Sequence, residues 1–203
     1  MDERPAPGEE LNPGRATEPR QAATVILLRG GSERLEVLLV RRNPAARFMG
    51  GAWVFPGGAL DAGEDHRAAA LREVREEASL ELAGPGKLVP FARWITPAQL
   101  AIRFDTRFFL AAAPPGAAPR PDGGETVDLG WFAPSEALAA HRRGEIALVF
   151  PTIKTLEQLA GFASADELLV WADGRQVEPI EPQVRLEGEV ARVVLPGEPG
   201  YPE

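Results

Sequence analysis

The chain of 203 residues contains no cysteine. That absence excludes a disulfide framework, a thiolate nucleophile and a cysteine-based zinc site. Histidine is scarce too, with 2 in the chain. His66 and His141 have no second histidine at metal-ligand spacing, so both are expected at the surface rather than in acid–base chemistry. Positive charge is in deficit, 22 Lys and Arg against 30 Asp and Glu, for a formal charge of −8. Proteins that grip nucleic acid without regard to sequence rely on clustered Lys and Arg, so nucleic acid is not an expected partner. No apolar run reaches the roughly 18 residues that span a bilayer, so no membrane partner is expected either. The opening "MDERPAPGEE" lacks the basic-then-apolar order of a secretory signal. A cytoplasmic protein is the expectation.

What is present suits one substantial domain with appended segments. Residues 1–20 are rich in Pro, Gly and charge and poor in large apolar side chains, which predicts a flexible tail. Residues 21–175 carry the domain. "AATVILLRG" and "LEVLLVRR" form a hairpin or two neighbouring strands, and "AWVFPGG" is a short strand stopped by Pro56 and two glycines. A helix is predicted over His66 to Ala78 with Asp65 as its N-cap. "KLVPFARWITP", "RFDTRFFLAAA" and "TVDLGWFA" read as strands, and "PSEALAAHRRG" and "FPTIKTLEQLAGFA" as helices opened by Pro134 and Pro151. Strands and helices interleave without a clean βαβ repeat, which favours a mixed sheet with helices on its faces. Trp94, Trp131 and Phe132 are expected in the core. Residues 176–203 alternate between short strands and prolines, either an edge hairpin on the same domain or an arm to a partner subunit.

Within the predicted helix, Glu73, Glu76 and Glu77 stand at i, i+3 and i+4 and share one face. Leu71, Val74 and Ala78, with Ala70, make the adjoining apolar stripe, so the carboxylates sit at the edge of the core. Three such carboxylates repel one another, and a hard divalent cation such as Mg²⁺ would offset that repulsion. Gly57 and Gly58 just upstream let a backbone approach a ligand closely. Arg72 and Arg75 equally suit an ordinary solvated helix.

The longer spacing decides between these readings. From Gly58 the chain runs G-x5-E-x7-R-E-V-x-E-E-x-S-L. This resembles the Nudix box, G-x5-E-x7-R-E-U-x-E-E-x-G-U with U a bulky aliphatic residue. Six fixed matches arise by shuffling with a probability on the order of 10⁻⁴ per chain. The resemblance implies the Nudix fold, an α/β/α sandwich with a mixed sheet, and hydrolysis of a nucleoside diphosphate linked to another group. It implies Glu73, Glu76 and Glu77 as ligands of Mg²⁺ or Mn²⁺, with the Gly57 carbonyl as an additional ligand, and Arg72 with Glu64 as a brace between loop and helix. Glu76 is the expected base, with Glu125 and Asp128 as candidates outside the box. Ser79 departs from the pattern, replacing the final glycine, which puts the helix exit geometry in question.

Upstream, "LLVRRNPAARFMGGAWVFPGG" resembles the motif of the coenzyme A pyrophosphatases within that family, L-L-T-x2-S-x3-R-x3-G-x3-F-P-G-G. Val40 and Asn43 replace its Thr and Ser. Arg47 is the expected phosphate contact and Phe55 a substrate-binding neighbour. "WITPAQLAIRFDTRFFLAA" is similar to a segment of the mammalian Nudix 19 branch. Arg103, Asp105 and Arg107 alternate onto one face there, either as phosphate contacts, Arg107 above all, or as a solvated ladder. The implied substrate is a small nucleotide-type molecule, coenzyme A or its acyl esters. The alternatives are ADP-ribose, NADH, nucleotide sugars or oxidised nucleoside triphosphates, or a Nudix nucleotide sensor without turnover. A homodimer is the family-level expectation.

Overall fold

A computed structural model describes residues 11–12, 14–187 and 190–201. Strands β1 (Arg20–Arg29) and β2 (Glu36–Arg42) are followed by the short β3 (Trp53–Val54) and β4 (Gly57–Ala59), then helix α1 (His66–Ala78). Strands β5 (Val89–Ile95), β6 (Phe104–Ala112) and β7 (Thr126–Phe132) follow. Three helices come next, α2 (Pro134–Arg142), α3 (Phe150–Leu159) and α4 (Ala165–Ala172), and then β8 (Pro179–Ile180), β9 (Gln183–Glu187) and β10 (Val190–Val194).

The main sheet runs β3-β2-β1-β6-β5-β8, with β4 added to β1 and β7 to β2. It is mixed: β1 runs parallel to β6 over nine residue pairs, Arg20↔Phe104 to Leu28↔Ala112, while β1–β2, β1–β4, β2–β7 and β5–β6 are antiparallel. Both faces are covered, which explains why β1 and β2 read as continuous apolar runs. On one face Ala23, Val25, Leu27 and Leu38 pack against Ala69, Ala70, Val74 and Ala78 of α1. On the other, Ile26, Leu28, Val37 and Leu39 pack with Phe55, Phe108, Leu138, Leu156 and Leu168, which brings α2, α3 and α4 onto the sheet. This is the expected α/β/α sandwich. No helix among the described residues is long and apolar enough to cross a membrane.

Several details go beyond the sequence expectation. Helix α4 falls where no element was expected. Its signal was present: Ser164 accepts from Glu167 N–H while Glu167 accepts from Ala163 N–H, a reciprocal cap readable in "SADE". Of the predicted N-terminal tail, residues 1–10 and 13 lie outside the described residues. Leu11 bridges to Leu100, and Arg103 donates to the Thr17 carbonyl at 2.6 Å. The C-terminal segment packs on its own domain, since β8 runs beside β5 and Arg103 donates to the Glu181 carboxylate at 2.7 Å. Trp94 and Phe132 are core-packed aromatics, edge-on to Phe150 and Trp53. His141 is half-buried rather than a surface residue, its Nδ1 lying against the Ile146 carbonyl and the Leu148 amide.

Candidate active site

Helix α1 begins where the Asp65 carboxylate accepts the amides of Arg67 and Ala68, at 2.9 and 2.8 Å. It ends at Ser79, which adopts the left-handed conformation (φ 54°, ψ 36°). Its amide caps the Arg75 carbonyl and its hydroxyl donates to the Arg120 carbonyl at 3.2 Å. The exit geometry that glycine favours is therefore kept by a serine, at a strain of roughly 1 kcal/mol.

Burying the apolar face of α1 carries two glutamates inward. Glu77 is 3% exposed and Glu73 8%. Glu77 accepts the Gly57 amide at 2.9 Å. Burial pushes its carboxyl up to about 8, and the neighbouring charges of Glu73 and Glu125 push the same way. Glu73 is also raised, chiefly by burial. Both glycines stand in close contact here, Gly57 with backbone and Gly58 with a carboxylate. A Cβ on Gly58 would run into the Glu73 carboxylate, and one on Gly57 would stand 2.5 Å from the Ala23 carbonyl oxygen.

Arg72 forms the other half of the arrangement. Its guanidinium holds Glu64 through Nε and Nη2 at 3.1 and 3.0 Å, donates to the Ala59 carbonyl, and reaches Glu73 at 2.7 Å and Glu76 at 3.1 Å. Loop, β4 and helix are thereby locked together, and these partners strengthen the arginine's hold on its proton. Glu76 is the exposed member of the trio, with 53% of its side-chain surface accessible. Among the described residues no three acidic or histidine side chains converge in metal-ligand geometry. The donor set nevertheless fits a hard divalent cation: carboxylate oxygens, those of Glu73 and Glu77 on buried residues.

The remaining sequence candidates divide. Glu125 lies in the bend just before β7 and close enough to raise both Glu73 and Glu77. Asp128 lies along β7 opposite Arg41 and caps the Leu129 amide. Arg47 is exposed on the loop after β2. Phe55 lies beneath the loop. It is 3% exposed and meets the Phe108 ring edge-on at 6.5 Å, so its side chain belongs to the core beneath the loop. Arg107 is exposed, whereas Asp105 is taken by Arg93 and Arg103 by the Thr96 and Thr17 carbonyls and Glu181. The carboxylates of the trio thus share their surroundings with Arg42 and Glu125, while Asp105 and Arg103 serve the sheet.

A family model described as the NUDIX domain matches residues 18–151. The chain belongs to the Nudix family. It is 28% identical to a putative nudix hydrolase 7 of Caenorhabditis elegans, in a match covering 81% of this chain and 68% of that protein. It is 35% identical to the human acyl-coenzyme A diphosphatase NUDT19 over 57% of this chain, but the match spans only 30% of the human protein. Among solved structures, a NUDIX hydrolase of Alicyclobacillus acidocaldarius superposes with a TM-score of 0.69 at 28% identity, over 76% of this chain and 96% of that one. The chain is accordingly a Nudix hydrolase, an enzyme acting on pyrophosphate bonds of small nucleotide-type substrates, in a family that uses divalent metal ions. Cavity size alone does not mark the Nudix site. A hollow of about 400 Å³ lies among Leu28, Arg29, Pro114, Pro115, Trp131 and Leu169. That is the far end of β1, roughly 15 Å along the strand from the residues that pair with Gly57 and Gly58.

Proposed function

We propose that the protein hydrolyses the pyrophosphate bond of coenzyme A or its acyl esters, with Mg²⁺ or Mn²⁺. The observation that carries the metal-dependent chemistry is the pair of buried glutamates, Glu73 and Glu77, set against two glycines, of which Gly57 lies against backbone and Gly58 against the Glu73 carboxylate. Glu73, Glu76 and Glu77, with the Gly57 carbonyl, would hold the ion. When bound, it polarises a phosphate oxygen and lowers the pKa of the attacking water. Glu76, exposed at the edge of the trio, accepts that water's proton, and Glu125 is the second candidate for this role. Water oxygen bonds to phosphorus, the bridging P–O bond breaks, and the products are a phosphopantetheine half and an adenosine bisphosphate. Arg72 and Glu64 keep loop and helix aligned throughout.

The coenzyme A assignment is supported by the loop from Leu38 to Gly58 and by the activity named for the human relative. Arg47 grips the substrate's 3′-phosphate, and Arg107 contributes a second positive charge. Phe55 shapes the loop from beneath. Retention of every box carboxylate favours turnover over a sensor role. A panel of coenzyme A, NADH, ADP-ribose and 8-oxo-dGTP, each with Mg²⁺ and Mn²⁺, tests the reading. Coenzyme A or its acyl esters are expected to give the highest kcat/KM, and a clear preference for another member would replace the substrate assignment. Cleavage of none would overturn the enzyme. Glu76→Gln is expected to remove most turnover with little change in thermal stability.

A further inference from the structure

The two arginines that end β2 differ in setting. Arg41 stands in register with Asp128, but the β2–β7 ladder shifts before Arg42, which pairs with Thr126. Such an irregularity re-aims a side chain and is frequent beside active sites. Arg42 is held at both backbone ends, its amide donating to the Ala52 carbonyl at 2.9 Å and its carbonyl accepting from Gly51 at 3.2 Å. Its Nε donates to the Phe48 carbonyl at 3.2 Å. Among the described residues the guanidinium makes that hydrogen bond and no ion pair. It is nevertheless half-buried, and its positive field reaches Glu77.

Arg42 also lines a cavity of about 350 Å³, with Asn43, Ala45, Ala46, Gly124 and Glu125. The cavity's two walls are joined by Asn43, whose side-chain amide donates to the Gly124 carbonyl at 2.7 Å and whose backbone amide donates to Glu125 at 2.8 Å. Its volume is at the small end for ligand pockets, which suits a phosphate-bearing portion rather than a whole nucleotide conjugate. A fixed, partly desolvated guanidinium that no carboxylate has claimed has its Nη edge left for an anion. The planar fork matches two phosphoryl oxygens at once.

We propose that Arg42 is a catalytic residue that binds the substrate's diphosphate in this cavity, donating its Nη groups to the phosphoryl oxygens that gain charge during hydrolysis. This rests on the pyrophosphohydrolase reading above. Steady-state kinetics on the best substrate of the panel, alongside competitive inhibition by inorganic pyrophosphate, test it. Arg42→Gln is expected to lower kcat/KM by about 10²-fold, the scale for losing one donor to developing charge, and to weaken pyrophosphate inhibition at least tenfold. Arg42→Lys recovers part of the loss, because a point charge lacks the fork. Guanidinium ion at non-denaturing concentration restores part of the turnover of Arg42→Ala, which a merely structural role would not allow. Arg41→Gln stays near wild type. The proposal is overturned if Arg42→Gln keeps kcat/KM within threefold of wild type, or if the losses track unfolding in thermal melts and guanidinium rescues nothing. If wild type cleaves no member of the panel, the parent reading fails. Calorimetric binding of pyrophosphate to wild type and Arg42→Gln then still decides on Arg42, equal affinities ruling it out.

Discussion

Asp105 and Glu77 are both buried carboxylates between the sheet and the side of the molecule that carries α1, and their surroundings treat charge in opposite ways. Asp105 receives Arg93 through Nε and Nη2, at 2.8 and 2.7 Å, and Gln21 at 3.2 Å. The Arg93 guanidinium holds its carboxyl below the usual range despite burial. Glu77 receives one backbone amide, stands near two further glutamates, and is pushed up to about 8. Asp105 is complete within the chain. Glu77 is buried with the Gly57 amide as its hydrogen-bond partner and the field of Arg42 as an opposing charge, the setting on which the proposed cation site rests.

The comparison breaks most visibly at Glu77. Glu77→Gln is expected to lower metal-dependent turnover by at least roughly 10²-fold, measured at saturating Mg²⁺. Stability should move the other way. Between the ordinary value of 4.5 and the folded value of about 8, the unfolded chain has lost this proton while the folded one retains it. Metal-free stability from this group is therefore full below pH 4.5 and falls as pH rises through about 8. Metal-free thermal melts of wild type should show that decline, Glu77→Gln should flatten it, and Mg²⁺ should stabilise wild type more at pH 8 than at pH 6. A wild-type profile that is flat or rising across this window would contradict the setting described for Glu77.

Asp105→Asn should produce an intermediate effect of a different kind. Removing half of a hydrogen-bonded pair costs about 1–3 kcal/mol, read by urea denaturation, while the Mg²⁺ dependence of turnover is unchanged. Its pH signature is also reversed. The stability Asp105 contributes is present above its ordinary value of 3.8 and is lost as acid carries the pH through the lower folded value. The smallest effect is expected at Ser79. Ser79→Gly relieves left-handed strain but loses the hydroxyl bond to Arg120, so stability should stay within about 0.5 kcal/mol of wild type. Ser79→Ala keeps the strain, loses the bond and should cost about 1 kcal/mol. Equal melting temperatures for the two variants would remove the strain argument.

Helix α1 was readable because its signals are neighbours in sequence: Asp65 before it, and Arg72 and the glutamates at helical spacing. The pairing of β1 with β6 was not, since it joins residues such as Ala23 and Arg107 across the whole of α1 and β5. Phe55 shows the same limit. It stands in a motif beside two glycines, and only the arrival of Phe108 from β6 makes it a core residue. Arg42 is a plain basic residue at a strand end until the ladder shift and the Glu125 turn give it a cavity wall.

The sequence by itself determined the helix, its cap and the carboxylate face, because each depends on spacing within about one or two turns of chain. Only the tertiary structure decided which carboxylates are charged at ease and which are not. Desolvation and counter-charge depend on what packs against a side chain. For Asp105 that was Arg93 on the adjoining strand; for Glu77 it was Gly57, twenty residues back, and the nearby carboxylates of Glu73 and Glu125.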